Sequence, residues 1–479
     1  MKKPNILYFM SDDHASNAIS CYNSILSEVF QTPNFDRLAN EGCRLNNYCA
    51  TNSICTPARA TIMTGQYGHL NGVKTLADRW NSDTKLNLAQ LIKDSGYDTA
   101  FFGKWHLQCV PNGFDEYKYL EGSGQQGVYI NPTFAEKGSE GIIKHEGYVT
   151  EIITDMTLNW LKNKNSDQPF FIMCNHKAPH DRWQYLPKYE HIFDGVEIPE
   201  PGSLFEDLSH RSAGSFKFGS TLGPNDHSYN KLSLFDWFNE DNYVTGKIQY
   251  EENATDETKT KLTYQKYLKD YLRTVAGIDE SVGQIVNYLE SIGELDNTVV
   301  IYTSDQGMFL GEHSYWDKRW SFEESINTPF LIRYPKEISA GGVNNELLSN
   351  LDIAPLLLDY AGAEIPEEMQ GKSFRKVLTG EEHGYDAIYF RYWMHLTHHG
   401  VPSHYGIKTK EYKLIYYYGK PLGSTGAINV DTPTGWELYN LKNDPLELQN
   451  IYNDKNYSNI VEKLKIQLQD IKEKYQDYN

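Results

Sequence analysis

The sequence has no long apolar stretch, few cysteines and a shortage of basic residues. No run approaches the roughly 18 apolar residues that a membrane-spanning helix requires, so no membrane span is expected. All six cysteines lie in the first 174 of the 479 residues without a Cys-x-x-Cys pair, so a disulfide framework is not expected to carry the fold. The formal net charge of −19 argues against nucleic acid and acidic membranes as partners. Any anion site must be built locally, because charge is screened over about 8–10 Å.

The beginning of the chain is predicted to be a strand. The apolar run from Ile6 to Met10 follows two lysines, as in a signal peptide, but Ser11-Asp12-Asp13 interrupts it at once. Two alternatives remain open at this stage: the protein stays in the cytoplasm, or a leader has been removed.

Four apolar runs each end in polar or ionisable residues, and helical patterns at 84–94 and 270–292 lie between them. The runs are Asn5–Met10, Thr99–Phe102, Pro169–Cys174 and Thr298–Thr303. Continuous apolar runs are typical of buried parallel strands, and open α/β sheets bind ligands at the carboxyl ends of their strands. The pattern predicts a large mixed, mostly parallel sheet flanked by helices, with the four clusters in one crevice.

The predicted domains are 1–383, an α/β catalytic domain, and 384–479, a small C-terminal α+β domain. In the second domain, Tyr405–Lys410 and Tyr412–Tyr418 resemble an antiparallel pair, Gly435–Leu441 adds a strand, and 456–475 is amphipathic. Residues 182–262 are rich in Gly, Pro, Ser, Asn and Asp. Such a long irregular insertion is predicted to build a functional surface, here part of a substrate pocket.

The segment from Cys55 to Gly65 reads Cys-Thr-Pro-Ala-Arg-Ala-Thr-Ile-Met-Thr-Gly. Pro57 suits the first turn of a helix, which places Cys55 beside N–H groups that attract anions. Cys55 is then either a small buried residue or a thiolate nucleophile, since helix N-termini and an arginine such as Arg59 lower thiol pKa values.

A metal site is predicted from two pairs of oxygen donors at strand ends, Asp12-Asp13 and Asp305-Gln306. Donor sets made only of oxygen suit Ca²⁺ or Mg²⁺ better than zinc, and variable carboxylate geometry favours Ca²⁺.

Basic residues follow the remaining strands. Lys104 and His106 are two apart on a segment predicted to be extended, so their side chains should point the same way and supply a fixed charge and a proton carrier. His176 and His180 follow the third run. His313, Lys318 and Arg319 come shortly after Asp305-Gln306.

Taken in order, these segments resemble the motifs of the type I, formylglycine-dependent sulfatases of the alkaline-phosphatase superfamily. The motifs are Cys-x-Pro-x-Arg at 55–59, the run from Gly96 to His106, His-Lys-Ala-Pro-His at 176–180, and Asp305-Gln306 with Lys318. Within that family the chain resembles bacterial carbohydrate sulfatases. The resemblance covers residues 5 to about 335 and is weaker over 436–450. The family more often has Asn where Gln306 stands, but the amide oxygen is kept.

The resemblance implies that Cys55 is oxidised to formylglycine by a formylglycine-generating or anaerobic sulfatase-maturating enzyme. By the same resemblance, the hydrated aldehyde would attack the sulfur of a sulfate ester. Calcium would be held by the four oxygen donors and by the residue formed from Cys55.

The resemblance also implies roles for the basic residues. Arg59, Lys104 and Lys318 would hold the sulfate. His106 would take a proton from the nucleophile after transfer, and His180 would protonate the leaving alcohol.

The substrate implied is a sulfated carbohydrate. Five residues are candidate substrate contacts: His176, His313, Arg319, Arg391 and His395. The last two belong to an aromatic and histidine-rich stretch, with His398, His399 and His404 nearby, that could line a sugar pocket or pack the domain.

Two alternatives to a sulfatase stay open, a phosphatase or phosphonate monoester hydrolase of the same superfamily and a sulfated-glycan-binding pseudoenzyme. The resemblance implies a periplasmic or secreted location, and a cytoplasmic one stays open.

Overall fold

The computed structural model describes residues 3–227, 229 and 233–479. The strands in these residues are β1 (Asn5–Ser11), β2 (Cys43–Leu45), β3 (Tyr48–Cys49), β4 (Asp98–Gly103), β5 (Glu116–Glu121), β6 (Thr133–Glu136), β7 (Ile142–Lys144), β8 (Phe170–Asn175), β9 (Thr298–Ser304), β10 (Phe309–Leu310), β11 (Trp316–Asp317), β12 (Phe330–Arg333), β13 (Gly342–Asn344), β14 (Leu348–Ser349), β15 (Ile388–Tyr392), β16 (His404–Lys408), β17 (Tyr412–Tyr417) and β18 (Gly435–Asn440).

The α-helices described are α1 (Pro33–Glu41), α2 (Cys55–Thr64), α3 (Gly68–Asn71), α4 (Leu88–Asp94), α5 (Val149–Asn163), α6 (Leu234–Phe238), α7 (Asp256–Ser291), α8 (Glu323–Ile326), α9 (Ile353–Ala361), α10 (Arg375–Leu378) and α11 (Ser458–Lys474). None of them combines the length and the apolar character that crossing a bilayer requires.

The main sheet of the described residues has ten strands in the order β13-β2-β12-β9-β1-β8-β4-β5-β6-β7. Its centre is parallel: β1 pairs with β8 and β9, and β4 pairs with β8 and β5. β12 runs antiparallel to both β9 and β2, and β5, β6 and β7 form an antiparallel edge. The predicted mixed, mostly parallel sheet is confirmed.

Helices cover both faces of this sheet, which explains why its central strands are continuous apolar runs. In β1, Leu7 and Phe9 point into the core formed with α1, α5 and α7, whereas Ile6, Tyr8 and Met10 point into the core formed with α4 and α9. Side chains of a strand alternate between faces, so a strand covered on both faces must be apolar throughout.

Two predicted helices have different starting points in the structure. The helix expected at 84–94 begins only at Leu88, because the Asn87 side chain accepts from the Ala89 N–H at 3.1 Å and caps it. The helix expected at 270–292 begins at Asp256, since Thr255 accepts from the Thr258 N–H at 3.2 Å. The irregular insertion therefore gives way to a helix before residue 262.

The C-terminal part contains an antiparallel sheet in the order β15-β16-β17-β18. Leu464 and Leu468 of α11 pack on one face of this sheet, among residues such as Ile407 and Leu414. The sequence did not indicate the first of these strands, β15. The α+β character is confirmed, whereas the boundary at residue 384 stays a prediction.

Candidate active site

The carboxyl ends of the central strands carry the predicted clusters. Ser11 at the end of β1 is in register with Ser304 at the end of β9, so Asp12 and Asp13 adjoin Asp305. Likewise Gly103 at the end of β4 is in register with Asn175 at the end of β8. The segments that follow these two strands supply Lys104, His106 and His180, so the sheet brings the clusters to one edge.

Three carboxylates form a compact group at this edge. Oxygen atoms of Asp12, Asp13 and Asp305 lie within 4.8 Å of one another. Burial raises the pKa of Asp305 to about 7, and the Asp12 and Asp13 carboxylates contribute to the rise while Arg59 opposes it. Carboxylates this close resist being ionised together unless a cation offsets their charge.

Gln306 gives independent support for a cation. Its Oε1 atom is buried and accepts no hydrogen bond from the described residues, although such a group normally has a partner. Its Nε2 atom contacts Asp13 and lies 3.6 Å from Cys55 Sγ. A free amide oxygen beside three carboxylates fits a hard cation such as Ca²⁺ or Mg²⁺.

Three basic side chains hold these carboxylates in place. Arg59 Nε donates to Asp305 Oδ2 at 2.9 Å, and its Nη2 lies 3.4 Å from Asp12 Oδ1. Lys104 Nζ contacts the Asp12 carboxylate, and Lys318 Nζ donates to Asp13 Oδ2 at 2.5 Å. Burial acts to raise the pKa of Asp12, but nearby positive groups, Lys104 foremost, outweigh burial and hold that pKa well below its usual range.

Cys55 lies at the floor of the site as the first residue of α2, and it is 2% exposed. Burial raises the pKa of its thiol well above the usual range, and the Asp12 carboxylate raises it further. The protein groups around Cys55 therefore keep the thiol protonated, unlike those around a thiolate nucleophile.

His106 lies beside the site with a backbone φ of 56°. The expectation of an extended Lys104–His106 segment is therefore wrong, because the chain turns immediately after β4. Burial, reinforced by Lys104, lowers the pKa of His106 well below its usual range. A neutral imidazole is able to accept a proton.

His180 is oriented by its neighbours. Its Nδ1 atom contacts the Asp181 carboxylate, its Nε2 atom lies 3.6 Å from Asp13 Oδ2, and the Tyr129 hydroxyl donates to its backbone carbonyl. Burial acts to raise the pKa of Asp181, but His180 and Lys177 lower it overall. An ionised Asp181 fixes the imidazole so that Nε2 faces the site.

These side chains border a cavity of about 390 Å³. Among the predicted catalytic and metal residues, Asp13, Cys55, His106, His180 and Lys318 line the cavity directly. The remaining five lie behind that set. Asp305 and Gln306 contact Asp13 and Cys55 respectively, Asp12 has a ligand atom within 4.8 Å of those of Cys55 and His180, and Arg59 and Lys104 contact Asp12.

Only one of the five predicted substrate contacts lines the cavity. It is Arg319, whose Nε donates to Asp317 Oδ2 at 2.9 Å. His176 is fully buried on the α7 side of the sheet, 3.1 Å from Ser281 Oγ, and burial lowers its pKa to about 3. Neighbouring side chains of an extended chain point to opposite faces, and that of His176 points into the core.

His313, Arg391 and His395 are also packing residues, which corrects the prediction that they contact substrate. His313 Nδ1 lies 2.5 Å from Glu206 Oε2. Arg391 Nη1 donates to Asp477 Oδ1 at 2.5 Å. His395 is held between the Val430 carbonyl and Ser403. Of the two alternatives for the C-terminal stretch, packing is correct for Arg391 and His395, whereas His398 and His399 line the cavity.

Sequence reasoning missed several residues that line the cavity: Gln126, Tyr129, Lys177, Asp181, Arg182, Gln184, Val244, Trp316 and Asp317. Adjacency to a motif was an available signal for Lys177, Asp181 and Asp317, which neighbour His180 or Lys318. Arg182, Gln184 and Val244 belong to the irregular insertion 182–262, which was predicted to form part of a substrate pocket, although the individual residues were not singled out. For Gln126 no such signal exists, because the tertiary structure alone brings its segment to the cavity.

Residues 4–363 match the family model described as Sulfatase. The chain belongs to the sulfatase family. Residues 311–474 of this sulfatase also match the model of the N-sulphoglucosamine sulphohydrolase C-terminal region.

Named relatives support the same assignment. The sulfatase is 38% identical to an N-acetylglucosamine-6-O-sulfatase of Bacteroides thetaiotaomicron, over 99% of this chain and 87% of that protein. It is 27% identical to an N-acetylglucosamine-6-sulfatase of Capra hircus, over 79% of this chain and 64% of that protein. With the family match, these relatives identify the protein as an enzyme, a sulfuric ester hydrolase, as predicted.

Solved structures share the fold. One, of a protein in complex with its substrate D-glucosamine-2-N,6-O-disulfate, superposes with a TM-score of 0.89 at 36% identity, covering 100% of this chain and 99% of that one. A phosphonate monoester hydrolase of Agrobacterium radiobacter superposes with a TM-score of 0.72 at 20% identity, covering 99% and 96% of the two chains. The second likeness shows only a common fold.

Proposed function

We propose that this sulfatase hydrolyses the 6-O-sulfate ester of a glucosamine-type carbohydrate, using formylglycine formed from Cys55 and a calcium ion. The observation that carries the mechanism is the position of Cys55, within 4.8 Å of ligand atoms of both Asp12 and His180 and at the floor of a cavity bordered by Lys318. The substrate class is carried over from the 38%-identical relative and from the substrate-bound structure.

The sulfate would be bound by positive charge that is already in place. Asp12, Asp13, Asp305 and Gln306 would hold the calcium ion, which would supply further positive charge. Arg59, Lys104 and Lys318 are fixed by ion pairs to these carboxylates. Such preorganised charge stabilises developing negative charge without the cost of reorganisation during the reaction.

Proton transfer would be divided between two histidines. Once formed from Cys55, formylglycine would supply a hydrated aldehyde, whose two hydroxyl groups would allow both attack on sulfur and later release of sulfate. His106, which is neutral and buried, would accept the proton needed for that release. His180, oriented by Asp181, would donate a proton from Nε2 to the leaving sugar oxygen.

The phosphonate monoester hydrolase alternative is supported only by the shared fold. Two-metal relatives commonly have histidine in the position that Gln306 occupies here. The pseudoenzyme alternative requires Cys55 to remain a cysteine.

We further propose that a formylglycine-generating or anaerobic sulfatase-maturating enzyme acts on this chain. We also propose that the protein is periplasmic or secreted. Two relatives, from Drosophila melanogaster and Caenorhabditis elegans, are described as extracellular sulfatase homologues.

Mass spectrometry of the peptide that contains Cys55, after co-expression with a maturating enzyme, tests the mechanism. We expect conversion of the cysteine to the aldehyde and release of inorganic sulfate from N-acetylglucosamine-6-sulfate. Cys55→Ala should fold with an unchanged circular dichroism spectrum and release sulfate at a few per cent of the wild-type rate or less.

Cys21→Ala is the matched control, because Cys21 is a half-buried cysteine outside the cavity. It should retain full activity. An active protein whose Cys55 is still a thiol would overturn the formylglycine assignment.

A further inference from the structure

We propose that Lys177 binds a second anionic substituent of the substrate, on the sugar side of the scissile ester. The inference rests on the proposed function and adds a specificity-determining residue to it. Lys177 lies in the turn between β8 and His180, where it is 4% exposed and lines the cavity.

Lys177 differs from the other lysines at the site in its partners. Its Nζ atom lies 3.3 Å from the Asp181 carbonyl oxygen and 5.2 Å from the centre of the Tyr129 ring. Within residues 3–227, 229 and 233–479 it forms no ion pair with a carboxylate, whereas Lys104 and Lys318 are each paired with an aspartate.

An ammonium group in this position would be stabilised by an anionic partner. An ammonium ion has three N–H donors, and the carbonyl of Asp181 takes one of them. Burying a charge without a partner is costly. An anionic group that enters the cavity would pair with Lys177 and recover part of that cost, so the unliganded enzyme holds a ready site for it.

The position of Lys177 relative to His180 determines which part of the substrate it faces. The backbone carbonyl of Lys177 accepts from the His180 N–H at 3.1 Å. Tyr129 braces both residues, since its hydroxyl donates to the His180 carbonyl and its ring lies under the Lys177 ammonium. Because His180 is assigned to the leaving oxygen, a group beside Lys177 belongs to the sugar.

Two substituents share the required chemistry, an N-sulfate on the same ring and the carboxylate of a neighbouring uronic acid. Both present oxyanions that accept charge-assisted hydrogen bonds from an ammonium group. The similar structure solved with D-glucosamine-2-N,6-O-disulfate shows that a related protein takes a substrate with such a second anion.

The test compares three substrates in the wild type and in Lys177→Met, which keeps an unbranched chain and removes the charge. The substrates are N-acetylglucosamine-6-sulfate, D-glucosamine-2-N,6-O-disulfate and a disaccharide of N-acetylglucosamine-6-sulfate with a uronic acid. We expect kcat/KM to fall on the order of 10- to 100-fold for a substrate with a second anion, mainly through KM. The N-acetylated monosaccharide should change by less than about threefold, and Lys177→Arg should restore the preference.

The substrate that suffers the loss identifies the anion. A loss confined to the disulfate assigns Lys177 to the N-sulfate, and a loss confined to the disaccharide assigns it to the carboxylate. Equal losses on all three, or none, would overturn the proposal.

Lys137→Met is the matched control, because Lys137 also contacts a carbonyl and a tyrosine ring, those of Phe114 and Tyr117, outside the cavity. It should change none of the three values.

Binding separates this proposal from the proposed function. Calorimetric titration of the disulfate into Cys55→Ala, with and without Lys177→Met, measures the contribution of Lys177 without turnover. A wild type that hydrolyses none of the substrates refutes the proposed function. In that case, weaker binding on removal of the Lys177 charge still supports the anion site, and unchanged binding refutes it.

Discussion

Replacing His180 with alanine tests the division of labour at the cavity. The structure places His180 Nδ1 against the ionised Asp181 carboxylate and directs Nε2 toward Asp13 and the cavity. If Nε2 delivers the proton to the leaving oxygen, the mutation should harm only those substrates whose leaving group requires a proton. A sugar alkoxide requires one, whereas a nitrophenolate departs without it.

General acid catalysis typically contributes about 10²–10⁴-fold. His180→Ala should therefore lower kcat/KM for N-acetylglucosamine-6-sulfate by that order and lower it much less for nitrophenyl sulfate. The assay measures kcat/KM for both esters in the wild type and the mutant, with matched formylglycine content checked by mass spectrometry. Asp181→Asn should show the same difference between the esters, with a smaller loss, because the imidazole remains but loses the partner that orients it.

Equal losses on the two esters would refute the reasoning. They would show that His180 binds the sulfate rather than protonating the alcohol. A loss of kcat/KM on nitrophenyl sulfate alone would also contradict the assignment, because a nitrophenolate departs without being protonated.

Two further predictions concern the metal site and the insertion. A chelator should abolish sulfate release, and Ca²⁺ should restore it better than Zn²⁺ because the donors are all oxygen. Added Ca²⁺ should not fully rescue Asp305→Ala. Recovery of the chelated enzyme with Zn²⁺ alone would contradict the donor assignment. Burial acts to lower the pKa of His313, but Glu206, a residue of the insertion, and Glu324 outweigh it and raise that pKa from 6.5 to about 9. The ion pair between His313 and Glu206 therefore stabilises the fold fully below about pH 6.5, and this contribution is lost as the pH rises through 9. The free energy of unfolding in urea should fall by roughly 3 kcal/mol over that range, Glu206→Gln should flatten the fall, and parallel curves would contradict the assignment.

The sequence by itself determined the central strands and the residues at their ends. Continuous apolar runs ending in Asp12-Asp13 and Asp305-Gln306 are local features, and a parallel sheet necessarily brings such ends to one edge. The helix beginning at Cys55 is also local, since Pro57 favours its first turn. These features sufficed to predict the sheet, the group of carboxylates and the position of Cys55 at a helix N-terminus, whereas the place of Cys55 beside the carboxylates was predicted only from the resemblance to sulfatases.

The tertiary structure alone decided which of the other polar residues face the cavity. His176 and His180 lie four residues apart, yet His176 packs against Ser281 in the core while His180 lines the cavity. Whether a side chain points into a cavity depends on the turn that follows each strand and on contacts distant in sequence. For the same reason, the burial of the Lys177 charge without a carboxylate partner could not be predicted from the sequence, since pairing depends on which segments pack around the lysine.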